Sequence, residues 1–347
     1  MSTPFEHAQD GTWPTVSVVV PMFNEEAAIR SCIQSLQRQD YPLERLEIVV
    51  VDGGSTDRSP DAVRELANSQ QHPKLKLTTN PKRNTPSSLN LGIRVARGDV
   101  IVRLDAHSEA PPDYVRMNVE VLFASGADYV GGRPNNVGYG YWGEAIALAM
   151  ASRFGVGAHF RHSSDPGDVD TVAFGAFRRD TFSSYGPFDE GLVYSEDNEY
   201  THRIRAGGGR VYFDPVIHCS YRSRQSLVAL CRQYNNYGWG RMRHALRDGS
   251  GVSARHLVPL VFVGALGILG VASLASTPAR HALGTLLAVY LICAGGMSVG
   301  IALASGLRYL PALPLVFGCL HVGYGIGQWQ AVLGRLFGRD RGLRRKP

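Results

Sequence analysis

The chain has 347 residues and a formal net charge of +6, which leaves room for one globular domain of about 250 residues and a smaller second region. Its five cysteines form no close pair along the sequence, so a disulfide-stabilised secreted scaffold is disfavoured and a reducing compartment is expected. Basic residues concentrate between residues 222 and 247 and near the C-terminus, without a nucleic-acid-binding motif. This charge favours an anionic lipid surface, and no nucleic-acid partner is expected.

The first hundred residues predict strands that alternate with helices. Runs rich in Val and Ile at residues 16–20 and 46–51 predict strands that are buried on both faces. Helical patterns follow at residues 27–39 and 59–69, and a further apolar strand is predicted at residues 100–102. This alternation indicates an α/β fold with a parallel sheet.

Three carboxylates come directly after these strands, namely Glu25, Asp52 and Asp105. In open α/β sheets, ligands bind beyond the carboxyl ends of the strands, so we expect the three side chains to converge on one crevice. Asp105 and His107 are two residues apart and would project to the same face of a strand. The pair can therefore bind one divalent metal ion and leave positions open for phosphate oxygens.

Two common nucleotide-binding motifs are missing from the sequence. No Gly-x-Gly-x-x-Gly follows the first strand, which disfavours a dinucleotide-dependent dehydrogenase. No Gly-x-x-x-x-Gly-Lys-Ser/Thr loop is present either, which disfavours a P-loop kinase or ATPase.

Six short motifs, between residues 15 and 240, give the chain a recognisable pattern. They are Pro-Met-Phe-Asn-Glu at 21–25, Asp-Gly-Gly-Ser-Thr-Asp at 52–57, Leu-Asn-Leu-Gly at 89–92, Ala-Arg-Gly-Asp at 96–99, Arg-Leu-Asp-Ala-His at 103–107 and Ser-Glu-Asp at 195–197. In this order they resemble glycosyltransferase family 2, whose members are inverting enzymes that use nucleotide-diphosphate sugars. The Asp-Ala-His form is most similar to the bacterial exopolysaccharide branch, which includes the glucosyltransferases of succinoglycan biosynthesis.

The resemblance implies a GT-A fold, with a mostly parallel central sheet and flanking helices. We predict an N-terminal tail at residues 1–14 and a catalytic domain at residues 15–250. Membrane-associated helices are predicted at residues 256–333, and a basic tail at residues 334–347.

The resemblance and the strand-end positions together predict the donor site. Contacts with the nucleotide sugar are expected from Pro21, Glu25, Asp52, Arg83 and Asp105. The cations of the Lys-Arg-Asn segment at 82–84 can neutralise phosphate, although a solvated turn would have the same composition. The 52–57 segment would also serve as a turn that caps the next helix.

A metal site is implied by the same resemblance. Related GT-A enzymes often complete their metal site with a histidine from a later strand, so the expected ligands are Asp105, His107 and His218. Oxygen ligands suit Mg²⁺ or Mn²⁺, and the histidines favour Mn²⁺.

The acceptor side is predicted from the second half of the catalytic domain. Asp197 matches the family position of the catalytic base, and Glu196 is expected to orient the acceptor or to support the structure. Ser195 can cap the helix that begins here. Gly175 lies in a segment that borders the acceptor in the family. The aromatic segment at 233–241, with Tyr234 and Trp239, suits either sugar stacking or a membrane interface, and it departs from the Gln-x-x-Arg-Trp box of processive synthases.

Long apolar runs at residues 257–276, 282–305 and 310–332 are each long enough to cross a bilayer. The basic tail argues for a C-terminus on the inner side, whereas three full spans would put it outside, so one run is expected to be re-entrant or interfacial. No secretory signal precedes the first strand. We expect a bacterial inner-membrane enzyme whose catalytic domain is cytoplasmic.

The predicted reaction is the inverting transfer of a sugar, glucose from UDP-glucose, to a polyprenyl-diphosphate-linked saccharide in exopolysaccharide synthesis. Three alternatives stay open. They are a processive polysaccharide synthase, a polyprenyl-phosphate sugar transferase, and a non-catalytic partner of an export complex.

Overall fold

The computed structural model of the chain describes residues 13–69, 72–156, 162–192, 194, 196–249 and 254–338. Ser195 and most of the two predicted tails lie outside the described residues. The chain divides into two compact units, the first formed by residues up to 135 and from 159 to 221, and the second by residues 136–158 and 222–343.

The elements of the first unit include all nine strands of the described residues. The strands are β1 (Val16–Met22), β2 (Leu46–Asp52), β3 (Lys74–Thr79), β4 (Val100–Arg103), β5 (Ser108–Glu109), β6 (Tyr129–Val137), β7 (Gly167–Asp168), β8 (Ala173–Arg178) and β9 (Val211–Arg222). The helices of the chain are α1 (Ile29–Gln37), α2 (Ser59–Ser69), α3 (Thr85–Val95), α4 (Tyr114–Ser125), α5 (Gly140–Ala151), α6 (Thr181–Tyr185), α7 (Glu196–Ala206), α8 (Leu227–Asp248), α9 (Ala254–Ala272), α10 (Thr277–Ser305) and α11 (Leu313–Leu336).

The sheet is parallel in one half and antiparallel in the other. Its strand order is β3-β2-β1-β4-β8-β6-β9-β5, with β7 paired to β9. β3, β2, β1 and β4 run parallel, whereas β8 is antiparallel to both β4 and β6. The predicted α/β fold is confirmed, but the sheet is mixed rather than mostly parallel, because the strands that follow β4 add to it in the antiparallel sense.

The strands of the parallel half form because their side chains are apolar on both faces. β1 is buried throughout its Val-rich part, and α1 covers it with Ile29, Ile33 and Leu36, which share one helical face. Met22 pairs with Asp52 at the ends of β1 and β2, and β4 lies on the other side of β1. The carboxyl ends of β2, β1 and β4 are therefore neighbours at one edge of the sheet, as expected from the sequence.

The second unit is helical and includes two helices that precede the predicted boundary at residue 250. α5 and α8 share its apolar core with α10 and α11. The boundary differs from the prediction because α8 packs closely against α11, which follows it by more than sixty residues. A Cβ built at Gly238 would lie 2.0 Å from the carbonyl oxygen of Tyr324, and one at Gly327 would lie 2.0 Å from that of Asn235.

Two helices of the described residues, α9 and α10, are long and apolar enough to cross a membrane. α9 buries none of its residues within the protein. The third predicted run corresponds to α11, which is not a candidate span and buries Val316, Phe317 and Leu320 in the core of the second unit. This agrees with the expectation that one of the three runs does not span.

Two cysteines of the second unit form a disulfide. Cys231 on α8 and Cys319 on α11 are bonded, with their Cα atoms 4.8 Å apart. The cysteines form no close pair along the sequence, but the packing of two helices brings together two that are 88 positions apart, and this disulfide was not predicted.

The close contact between α8 and α11 predicts which glycine of α11 is required. Gly327→Ala should destabilise the second unit by about 1–3 kcal/mol, since the new methyl group would meet backbone that cannot move aside. Gly318→Ala, on the same helix, is the control, because nothing lies within 4 Å of its Cβ position. Thermal unfolding of the two purified variants in detergent checks this, and equal midpoints would contradict it.

Candidate active site

The loops that follow β1 and β2 are tied to each other by hydrogen bonds. The backbone N–H of Asn24 donates to Ser55 Oγ at 2.9 Å, and the N–H of Thr56 donates to Asn24 Oδ1 at 2.8 Å. Asp52 is buried, and its Oδ1 accepts from the N–H of Ser55 at 2.9 Å. Asp57 Oδ1 accepts from the N–H of Ser59 at the start of α2. The predicted turn in this segment is therefore formed, and Asp52 helps to shape it.

The three side chains of the basic segment at residues 82–84 make different contacts. Lys82 forms an ion pair with Glu190, and Asn84 caps α3 by accepting from the N–H of Ser87 at 2.8 Å. Arg83 is exposed and lies across Gly54, where a Cβ would come within 2.9 Å of its Nε. Of the three, Arg83 is therefore the side chain that faces the loop after β2.

Glu25 and His107 meet at the ends of β1 and β4. Their Oε1 and Nδ1 atoms are 3.1 Å apart, and the His107 ring packs edge-on against Tyr221 with centroids 4.8 Å apart. Burial by itself would lower the pKa of His107, but Tyr221, the hydrogen bond to Glu25 and the charge of Asp105 raise it to about 9. The Nε2 atom is buried and has no hydrogen-bond partner.

This geometry fits only part of the predicted metal set. A carboxylate on one ring nitrogen and an unpaired second nitrogen is the arrangement of a metal-binding histidine, so His107 and Asp105 fit a divalent ion, which would have to displace the proton that the raised pKa keeps on the ring. His218 does not join them. Along β9, Ile217, Cys219 and Tyr221 share one face, and His218 lies on the other face with its Nδ1 3.0 Å from the carbonyl oxygen of Val216. Among the described residues no group of three or more metal-binding side chains is formed.

Arg103 contacts more of the predicted site residues than any other side chain of the described residues. It is the first residue of the motif at 103–107, but no function was predicted for it. Arg103 is 4% exposed. Its Nε lies 3.3 Å from Asp105 Oδ1, its Nη2 lies 3.2 Å from Glu196 Oε1, and its Nη1 contacts Asp197 Oδ1. Three predicted site carboxylates are thus brought together by one guanidinium. The available signal in the sequence was a basic residue directly after the apolar run at residues 100–102 and two positions before Asp105.

The helix that carries Glu196 and Asp197 is anchored by an aromatic cluster. Tyr200 of α7 is fully buried and stacks on Phe188 with centroids 4.3 Å apart, and it also contacts Phe177 of β8. The acidic residues occupy the first turn of α7, where the helix dipole stabilises negative charge. Asp197 keeps 29% of its side-chain surface exposed.

The surroundings of Asp197 change its acidity. Burial raises the pKa of Asp197 to about 7 against the opposing charge of Arg103, and the charges of Glu196 and Asp105 add to the increase. A carboxylate with a pKa near 7 can accept a proton at neutral pH and still be a stronger base than an ordinary aspartate.

Two further predicted residues, Pro21 and Gly175, lie in strands of the sheet. Pro21 pairs in register with Val51 at the end of β1. Gly175 pairs with Arg103 across β4 and β8 and has a φ of +124°, which a residue with a side chain would rarely adopt.

The two aromatic acceptor candidates belong to the second unit. Tyr234 is buried in its apolar core, and Trp239 is buried with Arg243 above its ring at 5.1 Å. Their rings are used in packing, and the acceptor role of these two residues stays a prediction.

Comparison with known proteins identifies the family. A family model described as glycosyl transferase family 2 matches residues 17–185. The succinoglycan biosynthesis protein ExoA of Rhizobium meliloti (strain 1021) is 29% identical over 319 residues, which are 91% of this chain and 94% of that protein. Residues 17–185 form a glycosyltransferase family 2 domain, as the resemblance predicted. The chain is a glycosyltransferase.

Two further relatives of this glycosyltransferase are informative. The dolichyl N-acetyl-alpha-D-glucosaminyl phosphate 3-beta-D-2,3-diacetamido-2,3-dideoxy-beta-D-glucuronosyltransferase of Methanococcus voltae is 28% identical over 64% of this chain and 71% of that protein. The mannosyltransferase PcManGT from Pyrobaculum calidifontis, solved with GDP-Man and Mn²⁺, has a TM-score of 0.61 at 22% identity and covers 98% of this chain and 90% of that one. This likeness confirms the GT-A fold.

The two histidines of the predicted metal set give a matched pair of variants for this transferase. His107→Ala should reduce the gain in UDP affinity that Mn²⁺ provides by at least about tenfold, because it removes the oriented ring nitrogen. His218→Ala should leave that gain unchanged, because its ring lies on the other face of β9. Calorimetry of UDP binding with and without Mn²⁺ measures both. An unchanged metal dependence in His107→Ala would remove His107 from the metal site.

Proposed function

We propose that this family 2 enzyme transfers a sugar, with inversion at the anomeric carbon, from a nucleotide-diphosphate donor to a lipid-linked saccharide at a bacterial membrane. The observation that carries the proposal is the pairing of Asp105 and Asp197 on one guanidinium. It holds a donor-site carboxylate and a partly exposed base side by side, and an inverting transfer needs both at once.

The donor occupies the edge formed by the ends of β2, β1 and β4. Arg83 is the exposed cation beside Gly54 and is suited to the diphosphate. Asp52, Glu25 and Pro21 border the same edge and complete the nucleotide site. UDP-glucose is the proposed donor, because the chain resembles the glucosyltransferases of succinoglycan synthesis.

A divalent ion, Mn²⁺ or Mg²⁺, would be held by Asp105 and His107 and would neutralise the diphosphate charge as the donor bond breaks. Glu25 keeps the His107 ring in place through its hydrogen bond. Two protein ligands would leave room for phosphate oxygens and water on the ion, as a metal that carries its substrate requires.

Asp197 acts as the general base in this proposal. Its carboxylate takes the proton of an acceptor hydroxyl, the hydroxyl oxygen forms a bond to the anomeric carbon, and the bond from that carbon to the diphosphate breaks on the opposite face. The nucleoside diphosphate leaves with the electron pair. Glu196, held by Arg103 at 3.2 Å, orients Asp197 or the acceptor.

The acceptor is proposed to be a polyprenyl-diphosphate-linked saccharide. The relative from Methanococcus voltae is named for a dolichyl phosphate-linked acceptor, and ExoA is named for succinoglycan biosynthesis. Two candidate spans, α9 and α10, form a hairpin in the sequence, which would return the chain to the side from which it entered. The catalytic residues and the basic C-terminal tail would then share the cytoplasmic side, as positively charged ends prefer.

An assay of the full chain in washed membranes tests the reaction. The membranes receive a panel of labelled nucleotide sugars, and the lipid product and its linkage are identified. We expect one hexose to be added with inversion to a lipid-linked saccharide from UDP-glucose. Growth of a polymer would instead indicate a processive synthase, and labelling of bare polyprenyl phosphate would indicate a polyprenyl-phosphate transferase. No product with any donor would contradict the proposal.

Asp197→Asn tests the base directly. Asparagine keeps the shape and much of the hydrogen bonding but cannot accept the proton, so transfer should fall by about 10²–10⁴-fold while donor affinity persists. Glu196→Gln should have a milder effect on transfer. Donor affinity and turnover are measured on the same preparations, and near-normal turnover in Asp197→Asn would refute the assignment.

The pH dependence of turnover supplies an independent measurement. The base works in its ionised form, so turnover at saturating donor should rise with pH, level off above about pH 7 and fall about tenfold per pH unit below that value. The residual activity of Asp197→Asn should lack this limb. A limb centred near pH 4, where an ordinary aspartate titrates, would contradict the raised pKa of Asp197.

A further inference from the structure

The guanidinium of Arg103 holds the site together in a way that no single motif reveals. Each of its three nitrogens faces a different carboxylate: Nε faces Asp105, Nη2 faces Glu196 and Nη1 faces Asp197. Asp105 follows β4 directly, whereas the other two residues come from α7, more than ninety positions later. The contact therefore joins the end of β4, which carries Asp105 of the donor site, to α7, which carries the base.

The charges explain why this contact is required. Three carboxylates that approach one another in a largely buried site repel each other strongly, because charge interactions are weakly screened there. An arginine is always charged and presents its donors in a planar fork, so it can bind several carboxylates in fixed directions. A lysine offers one compact charge and cannot reproduce these directions. Without the guanidinium, the first turn of α7 would be repelled from Asp105.

The backbone around Arg103 is also held in place. The hydroxyl of Tyr114 donates to the carbonyl oxygen of Arg103 at 3.2 Å. Across the sheet Arg103 pairs with Gly175, next to Phe174, which has a φ of +58°. Backbone conformations of this kind are kept only where the surrounding structure requires them. β4 and β8 thus hold the backbone from which the guanidinium reaches α7.

We propose that Arg103 is the positioning residue of the transfer reaction, which holds the base Asp197 at the correct place beside the donor carboxylate Asp105. The inference rests on the proposed role of Asp197 and extends it, since it names the residue that holds this base in position. Arg103 itself contacts no substrate in this account. Its loss should therefore lower turnover much more than it lowers donor affinity.

The test uses the purified full chain and the variants Arg103→Lys and Asp197→Asn, alone and combined. Arg103→Lys should keep UDP affinity within a few-fold and lose turnover by about 10²-fold, as expected for a misplaced reacting group. In the Asp197→Asn background the same change should cost almost nothing more, because residues that act as a unit are not additive. Arg116→Lys is the control and should keep wild-type turnover. Arg116 lies on α4 and forms ion pairs with Asp40 and Glu120.

Each outcome separates this inference from the proposed function. If Asp197→Asn turns over normally, the base assignment fails, and the positioning role fails with it. If Asp197→Asn is inactive but Arg103→Lys turns over normally, the inference alone is overturned. Two independent, additive losses would also overturn it.

A second set of variants covers the case in which Arg103→Lys fails to fold. Arg103→Gln/Glu196→Gln removes one charge of each sign and can replace the ion pair by an amide hydrogen bond. Turnover in this double variant should be about 10²-fold below that of Glu196→Gln alone, with similar UDP affinity. Equal turnover in the two proteins would overturn the proposal.

Discussion

A buried guanidinium has to be neutralised, and in this enzyme the neutralising groups are the acidic residues of the active site. Arg103 meets this requirement with Asp105 and with the first two residues of α7. The same contacts balance the charge of the arginine, keep the carboxylates together against their repulsion, and leave Asp105 and Asp197 partly exposed. An ion pair of this kind costs desolvation energy. Here the attraction of the guanidinium to three carboxylates offsets part of this cost.

The place of β4 in the sheet explains how one residue can connect two parts of the site. On one side β4 runs parallel to β1, whose following loop carries Glu25. On its other side it runs antiparallel to β8, whose Phe177 belongs to the aromatic cluster that anchors α7. The donor loops and the base are therefore attached to opposite neighbours of one strand. A change in the pairing of β4 with β1 or with β8 would move the donor loops relative to the base.

The second unit shows a different packing principle. α8 and α11 approach so closely that glycine is required on both helices, at Gly238 and Gly327. This contact makes α11 a packed helix of the second unit and leaves α9 and α10 as the candidate spans. Two candidate spans, an even number, would remove the conflict between the basic tail and three predicted spans. Tyr234 and Trp239 of the aromatic segment of α8 are likewise used for packing.

The sequence by itself determined the local elements, because strand burial, helical periodicity and turn motifs are local patterns. The resemblance to glycosyltransferase family 2 came from the order of its short motifs. It also located Glu25, Asp52 and Asp105 at the strand ends, since the edge on which parallel strands end follows from topology. Only the tertiary structure decided that His218 faces away from His107, that β8 and β9 run antiparallel, and that Cys231 bonds to Cys319. The central role of Arg103 belongs to this second group, because its partners come from distant parts of the chain and a short motif carries no information about contacts at that separation.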